Sequence, residues 1–184
     1  MTKTAVVVSE MDQRHLQVIR DNVTRFMQDC ARRYDGPGRL LDIAPQDHPG
    51  AAPYFTRSEI FTLDVDPRSN ATYVADLCSC DATVVPSSHF DRVVCTEVLE
   101  HVLDPFAAVK NIQRMLRPGG YVFVTTPFNF RIHGPLPDCW RFTEHGLRAL
   151  FKEFSIVSLE EVGTPERALM PIHYAVVAQK DGGA

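Results

Sequence analysis

Phe90-Asp91-Arg92-Val93-Val94-Cys95-Thr96-Glu97-Val98-Leu99-Glu100-His101 joins a short β-branched run to two carboxylates and an imidazole, with no hairpin turn between them. The composition of Arg92-Val93-Val94-Cys95 suits a strand buried on both faces of a parallel sheet. Such a strand delivers Glu97, Glu100 and His101 to its carboxyl end. In open α/β sheets that end is where ligands bind, in the crevice where strand order reverses.

Working outward from this stretch, strands and helices alternate. On the amino-terminal side, Leu16, Ile19, Val23, Phe26, Met27 and Cys30 recur at intervals of three and four, which predicts an amphipathic helix over 12–33. Asp35-Gly36-Pro37-Gly38 ends it. Strands are then expected at 39–44, 59–65, 71–75 and 90–95. On the carboxyl-terminal side, Asp104 caps a helix with Pro105 in its first turn. Phe106, Val109, Ile112, Met115 and Leu116 form the expected apolar face, and Pro118-Gly119-Gly120 the stop. A fifth strand follows at 121–126. The segment 127–142 is rich in Pro and Gly and reads as a lid over the strand ends. A helix from Thr143 to Phe154 and strands at 155–159 and 174–178 complete the series. This alternation predicts a doubly wound α/β sheet in a single domain over 1–184, with residues 1–36 as an amino-terminal helical segment and 37–184 as the core.

The chain has 184 residues, 45% of them hydrophobic, which is enough for one domain with a sizeable core. A formal net charge of -4 and the absence of any run of Lys or Arg disfavour nucleic acid as a partner and favour a small molecule. The five cysteines, Cys30, Cys78, Cys80, Cys95 and Cys139, form no CxxC pair, which fits reduced thiols in a cytoplasmic protein. The apolar patch 5–8 is too short for a signal-peptide core, and no run reaches the ~20 apolar residues that span a bilayer, so no membrane association is expected. The helix over 12–33 is placed to cover either a cofactor or a second copy of the chain in a homodimer.

The succession of Leu40-Leu41-Asp42-Ile43-Ala44, Leu63-Asp64-Val65-Asp66-Pro67, Ala75-Asp76-Leu77, the 90–101 stretch and Leu116-Arg117-Pro118-Gly119-Gly120 resembles the class I S-adenosylmethionine-dependent methyltransferases from Arg39 onward. The resemblance implies a Rossmann-like seven-stranded, mostly parallel sheet with the last strand antiparallel. It also implies S-adenosylmethionine as cofactor, with Asp64 on the ribose diol (Asp66 being the neighbouring alternative) and Asp76 and Leu77 on the adenine. Asp42, Ala44 and Cys95 fall among the cofactor contacts. Asp76 equally reads as the cap of a local turn. In place of the family's glycine-rich loop after the first strand stand Ala44, Gln46 and His48, so the loop is expected to be shaped differently. The same lack of GxGxxG argues against a nicotinamide dinucleotide site.

If the residues after Cys95 turn helical, Glu97, Glu100 and His101 fall at i, i+3 and i+4, on one face. Glu-x-x-Glu-His at this place is similar to the metal site of small-RNA 2'-O-methyltransferases and to the related segment of ubiquinone-pathway O-methyltransferases. That likeness implies a divalent metal, Mg, Mn or Fe, held by Glu97, Glu100, His101 and Asp138, with His133 as the alternative to Asp138. A cation lowers the pKa of a bound hydroxyl; without one, His101 is the candidate base. His101 and Glu100 are the catalytic candidates. His133, Trp140 and Arg141 are candidates for the acceptor pocket, although Trp140 reads equally as packing and Arg141 as one half of an ion pair. The expected function is methyl transfer to a small acceptor, O-methylation of a sugar or other metabolite. The alternatives are a non-catalytic protein that keeps the fold for binding or regulation, and an RNA 2'-O-methyltransferase.

Overall fold

The computed structural model describes residues 8–45 and 50–182. Seven strands form one sheet in the order β3-β2-β1-β4-β5-β7-β6. They are β1 (Arg39–Ile43), β2 (Glu59–Asp64), β3 (Tyr73–Val74), β4 (Phe90–Thr96), β5 (Leu116–Pro127), β6 (Ser155–Thr164) and β7 (Arg167–Gln179). β1 to β5 pair in parallel, so their carboxyl ends share one edge of the sheet; β7 runs antiparallel to both of its neighbours. This is the Rossmann-like class I methyltransferase topology, and the order reverses between β1 and β4.

Three helices among the described residues cover the two faces: α1 (Glu10–Tyr34), α2 (Pro105–Met115) and α3 (Glu144–Leu150). Successive strand residues point to opposite faces. Leu41, Val93, Cys95, Val122 and Val124 therefore pack with Ile112 of α2 and Leu147 of α3. Leu40, Val94, Phe123, Ala175 and Val177 meet Phe26, Met27 and Cys30 of α1 on the other side. Between β1 and β2 the described residues form turns rather than a helix. There Ala51 and Phe55 plug the α1 face, and Phe55 stacks on Phe123 at 5.6 Å.

Several boundaries differ from the pattern read in the sequence. α1 begins earlier because the Ser9 hydroxyl accepts from the Asp12 N–H, an N-cap. Asp104 caps α2 as expected, but Phe106 is 61% exposed, and the buried face is Pro105, Ala108, Val109, Ile112 and Met115. α2 stops at Met115 and β5 starts at once at Leu116, so Pro118-Gly119-Gly120 lies within the strand. α3 is shorter than expected, β3 has only two residues, and β6 and β7 form a longer hairpin. The loop residues Gln46 and His48, and most of the apolar patch 5–8, fall outside the described residues.

Candidate active site

The carboxyl ends of β2, β1 and β4 lie side by side, and each presents a carboxylate. Asp64 closes β2, is 7% exposed, and accepts the Asp66 N–H on Oδ1 at 2.8 Å. Asp66 itself turns outward to Arg68. Asp42 of β1 is 3% exposed and accepts the Ala51 N–H at 2.7 Å; burial raises its pKa to about 6, partly opposed by that hydrogen bond. Gly50 (φ +56°) sits over this carboxylate so closely that an added Cβ would collide with Asp42 Oδ2. Ala44 has φ +51°, a left-handed conformation that costs a non-glycine residue about 1–2 kcal/mol. The backbone here thus takes a glycine-like turn without the glycine.

Beyond β3, Asp76 is exposed, and its carboxylate receives Cys78 N–H at 2.8 Å and the Ser79 hydroxyl at 3.3 Å. It caps the turn after Leu77, the local reading. Leu77 buries its side chain in the core and gives its carbonyl to Asn111 Nδ2. The Cys95 side chain is fully buried, and burial pushes its thiol well above the usual range. That side chain packs in the core.

The segment after β4 does not turn helical. Glu97 has φ +55°, and Leu99–His101 form a tight turn closed by His101 N–H to the Val98 carbonyl at 2.9 Å. The left-handed step at Glu97 separates the three residues expected on one helix face. Glu97 points to β5 and β7, where its Oε1 accepts from Thr125 Oγ1 at 2.9 Å and pairs with His173 Nε2 at 2.6 Å. Glu97 is therefore not in the ligand cluster.

Glu100, His101 and His133 are brought together, each offering a ligand atom within 4.8 Å of the others. Glu100 is fully buried, and neither of its oxygens has a hydrogen-bond partner among the described residues. His101 Nε2 and His133 Nε2 each lie 3.8 Å from Glu100 Oε1. Desolvation, then the nearby Glu97 charge, holds the Glu100 carboxyl well above the ordinary range. Both rings are oriented by their other nitrogen: His101 Nδ1 bonds the Pro137 carbonyl at 2.9 Å, and His133 Nδ1 bonds the Arg131 carbonyl at 3.3 Å, with the Asp138 carboxylate 3.0 Å away and accepting the His133 backbone N–H. A carbonyl only accepts, so the His101 proton sits on Nδ1 and the Nε2 lone pair points toward Glu100. The Arg131 carbonyl does the same for His133.

The lid closes over this cluster. Cys139 and Trp140 N–H both donate to the Glu100 carbonyl, at 2.7 and 3.2 Å. All five N–H groups of Arg141 are engaged: two on Asp138 at 2.5 and 2.8 Å, the rest on the carbonyls of Phe130, Arg131 and Trp140. In this arrangement Arg141 clamps the lid through its own chain. Its hydrogen bonds hold the Asp138 carboxyl down at about 2. Asp138 thus supports His133 and takes no place in the ligand cluster. Trp140 ties the lid to the Val102 carbonyl through Nε1 at 2.8 Å and stacks on Phe142, with its ring 41% exposed.

Sequence reasoning missed Thr125 and His173, which bond Glu97, and Asn22, which bonds the far side of His173. The one visible signal was Asn22, a polar residue on the apolar face of the first helix.

The methyltransferase domain family matches residues 11–162. The chain belongs to that family, and its sheet places it among the class I S-adenosylmethionine-dependent methyltransferases. The ubiquinone biosynthesis O-methyltransferase of Proteus mirabilis is 40% identical over 55 residues, which are 30% of this chain and 22% of that protein. This chain therefore matches less than a quarter of that relative's length. The 1,6-didemethyltoxoflavin-N1-methyltransferase of Burkholderia thailandensis, solved with 1,6-didemethyltoxoflavin and S-adenosylhomocysteine bound, superposes with TM-score 0.60 at 16% identity, covering 97% of this chain and 93% of that one. The [4+2]-cyclase SpnF superposes at 0.68 with 17% identity, covering 89% and 81%. At these identities the likeness is one of fold. No helix among the described residues is long and apolar enough to cross a membrane.

Proposed function

We propose that the protein transfers a methyl group from S-adenosylmethionine to a hydroxyl of a small acceptor, a sugar or other metabolite, at the carboxyl ends of β1, β2 and β4. The cofactor supplies a methyl on a sulfonium, a good leaving group. The residues present fit it: Asp64 is a buried carboxylate with one oxygen committed, leaving the other for the ribose diol, and Asp42 and Gly50 shape the turn for the methionine end. The acceptor oxygen attacks the methyl carbon as the carbon–sulfur bond breaks, its electron pair leaving with sulfur. The acceptor's proton goes to His101 Nε2, whose lone pair is fixed by the Nδ1 bond to Pro137. Much of the rate comes from orientation, which the lid supports by excluding water.

The observation that carries this reading is the convergence of Glu100, His101 and His133, two lone pairs and an unpartnered buried carboxylate, beneath the lid. That donor set also fits a divalent cation, held by these three residues, which would lower the pKa of the acceptor hydroxyl. Two imidazoles and one carboxylate suit Mn or Fe(II) better than Mg. Ring N–H groups anchored on backbone carbonyls, as those of both His101 and His133 are, are a usual orientation of metal-binding histidines. The test is transfer of labelled methyl from S-adenosylmethionine to a panel of sugars and phenols, before and after chelation and Mn or Fe(II) replacement. Labelled product from at least one hydroxyl compound, lost on chelation and restored by metal, is expected; product insensitive to chelation leaves His101 alone as the base. A second reading, binding of the methyl donor without turnover, is favoured by the left-handed Ala44. It predicts binding of S-adenosylmethionine with no labelled product from any acceptor.

A further inference from the structure

Behind the β4 loop, on the α1 face of the sheet, a chain of hydrogen bonds runs from the surface to the site, and donor–acceptor chemistry sets its direction. Arg25 Nη2 donates to Asn22 Oδ1 at 2.8 Å. A guanidinium has only donors, so this oxygen accepts and the Asn22 amide nitrogen is the atom 2.7 Å from His173 Nδ1. An amide nitrogen only donates. His173 Nδ1 must therefore accept, and the ring proton sits on Nε2, which donates to Glu97 Oε1 at 2.6 Å. Thr125 Oγ1 donates to the same oxygen at 2.9 Å.

The burial of this chain is graded. His173 is fully buried and Asn22 is 6% exposed, whereas the Glu97 side chain keeps 26% of its surface. Both internal donors converge on one Glu97 oxygen. The other is left for a ligand at the carboxyl end of β4, three residues before Glu100. The left-handed backbone at Glu97 is what turns the side chain onto this chain of donors.

We propose that Asn22 and His173 are positioning residues that hold Glu97 as a fixed hydrogen-bond acceptor for a second hydroxyl of the molecule to be methylated, beside the one that gives its proton to His101. The inference rests on the hydroxyl-acceptor reading above. A neighbouring O–H that donates to the free Glu97 oxygen fixes the molecule so that the reacting oxygen keeps its own proton toward His101 and turns a lone pair toward the methyl donor. A helix that covers the far face of the sheet thereby takes part in orienting the reacting oxygen.

The experiment has one arm that needs no turnover and one that does. Nitrogen-15 NMR of the histidines at neutral pH should show His173 protonated at Nε2 and bare at Nδ1, and in N22D, where an acceptor replaces the amide, protonated at Nδ1. The carboxyl carbon of Glu97 should shift in H173L and return toward the wild-type position in H173Q, which keeps an N–H near the place of Nε2. With catechol as the probe acceptor, KM should rise about tenfold or more in H173L and N22D and recover in H173Q, with S-adenosylhomocysteine affinity unchanged. Wild-type His173 protonated at Nδ1, or a Glu97 signal indifferent to H173L, overturns the relay. Equal KM in wild type, H173L and N22D overturns its role in placing the acceptor. A wild type that binds S-adenosylhomocysteine but methylates no hydroxyl compound, catechol included, overturns the acceptor reading and with it that role, while the NMR arm still decides the relay.

Discussion

Glu97 and Glu100 stand three residues apart on one loop, yet the regions they face are opposites. Behind the sheet, Glu97 meets two donors, Thr125 and His173, from strands β5 and β7. Beneath the lid, Glu100 meets only the lone-pair sides of two imidazoles and is left unpartnered. A buried carboxylate without a donor is costly, by several kcal/mol when charged. The contrast teaches that one short motif yields two kinds of carboxylate: one anchored through a single oxygen by internal donors, the other held without a donor, in readiness for a proton or a cation.

The largest effect should come from Glu100→Gln, which keeps shape and removes the charge. Turnover is expected to fall by about a hundredfold or more, while the protein becomes more stable. Because the folded-state pKa of Glu100 is raised, the native protein holds more protons than the unfolded chain, and stability falls as pH rises through that range. Melting curves should therefore show a larger gain for E100Q at pH 8 than at pH 5. A loss of stability at both would erase the contrast with Glu97.

Asp64→Ala tests the next carboxylate along the edge. Losing a charged acceptor for a diol costs about 1.5–3 kcal/mol, or roughly 10- to 100-fold in S-adenosylhomocysteine affinity. Asp42 is the intermediate case, buried but given one donor. Its pKa of about 6 means that stability is lost as pH rises from about 4 to 6, by about 2–3 kcal/mol. Asp42→Asn, which keeps a carbonyl for the Ala51 N–H, should flatten that slope in urea titrations at pH 4, 5 and 6. The smallest effect is expected from Arg141→Leu. Asp138 is held at about 2, so the pair's stabilisation is present above the ordinary carboxylate pKa and fades as pH falls toward 2. With the Arg141 side chain 23% exposed, about 1–2 kcal/mol should be lost at neutral pH.

Much of the frame was legible. Strand runs and the Asp104-Pro105 cap follow from local chemistry, and the seven-stranded, mostly parallel sheet with its last strand antiparallel follows from the family resemblance carried by the succession of motifs. Helix faces were read less well, because Ala108 is buried by its small size while the larger Phe106, one position off the buried stripe, stays in solvent. The site was half legible. Glu100 and His101 stand where the motif placed them, but Glu97 was assigned to the same face on helical spacing, and nothing in a glutamate announces a left-handed φ. Arg141 reads in the sequence equally as a pocket contact and as half of an ion pair; only the folded lid shows the pair with Asp138 and the carbonyls that take its other donors. The partners of Glu97 come from positions 125 and 173, with Asn22 behind His173, and such distances leave no periodic trace.

The central claim is that the edge formed by β2, β1 and β4 binds the methyl donor despite Ala44 in the turn. Isothermal titration of S-adenosylhomocysteine into the purified chain tests it most directly. One saturable site per chain, weakened in the Asp64→Ala variant, is the predicted result. No heat from the wild type, or equal affinity in the two proteins, would contradict it.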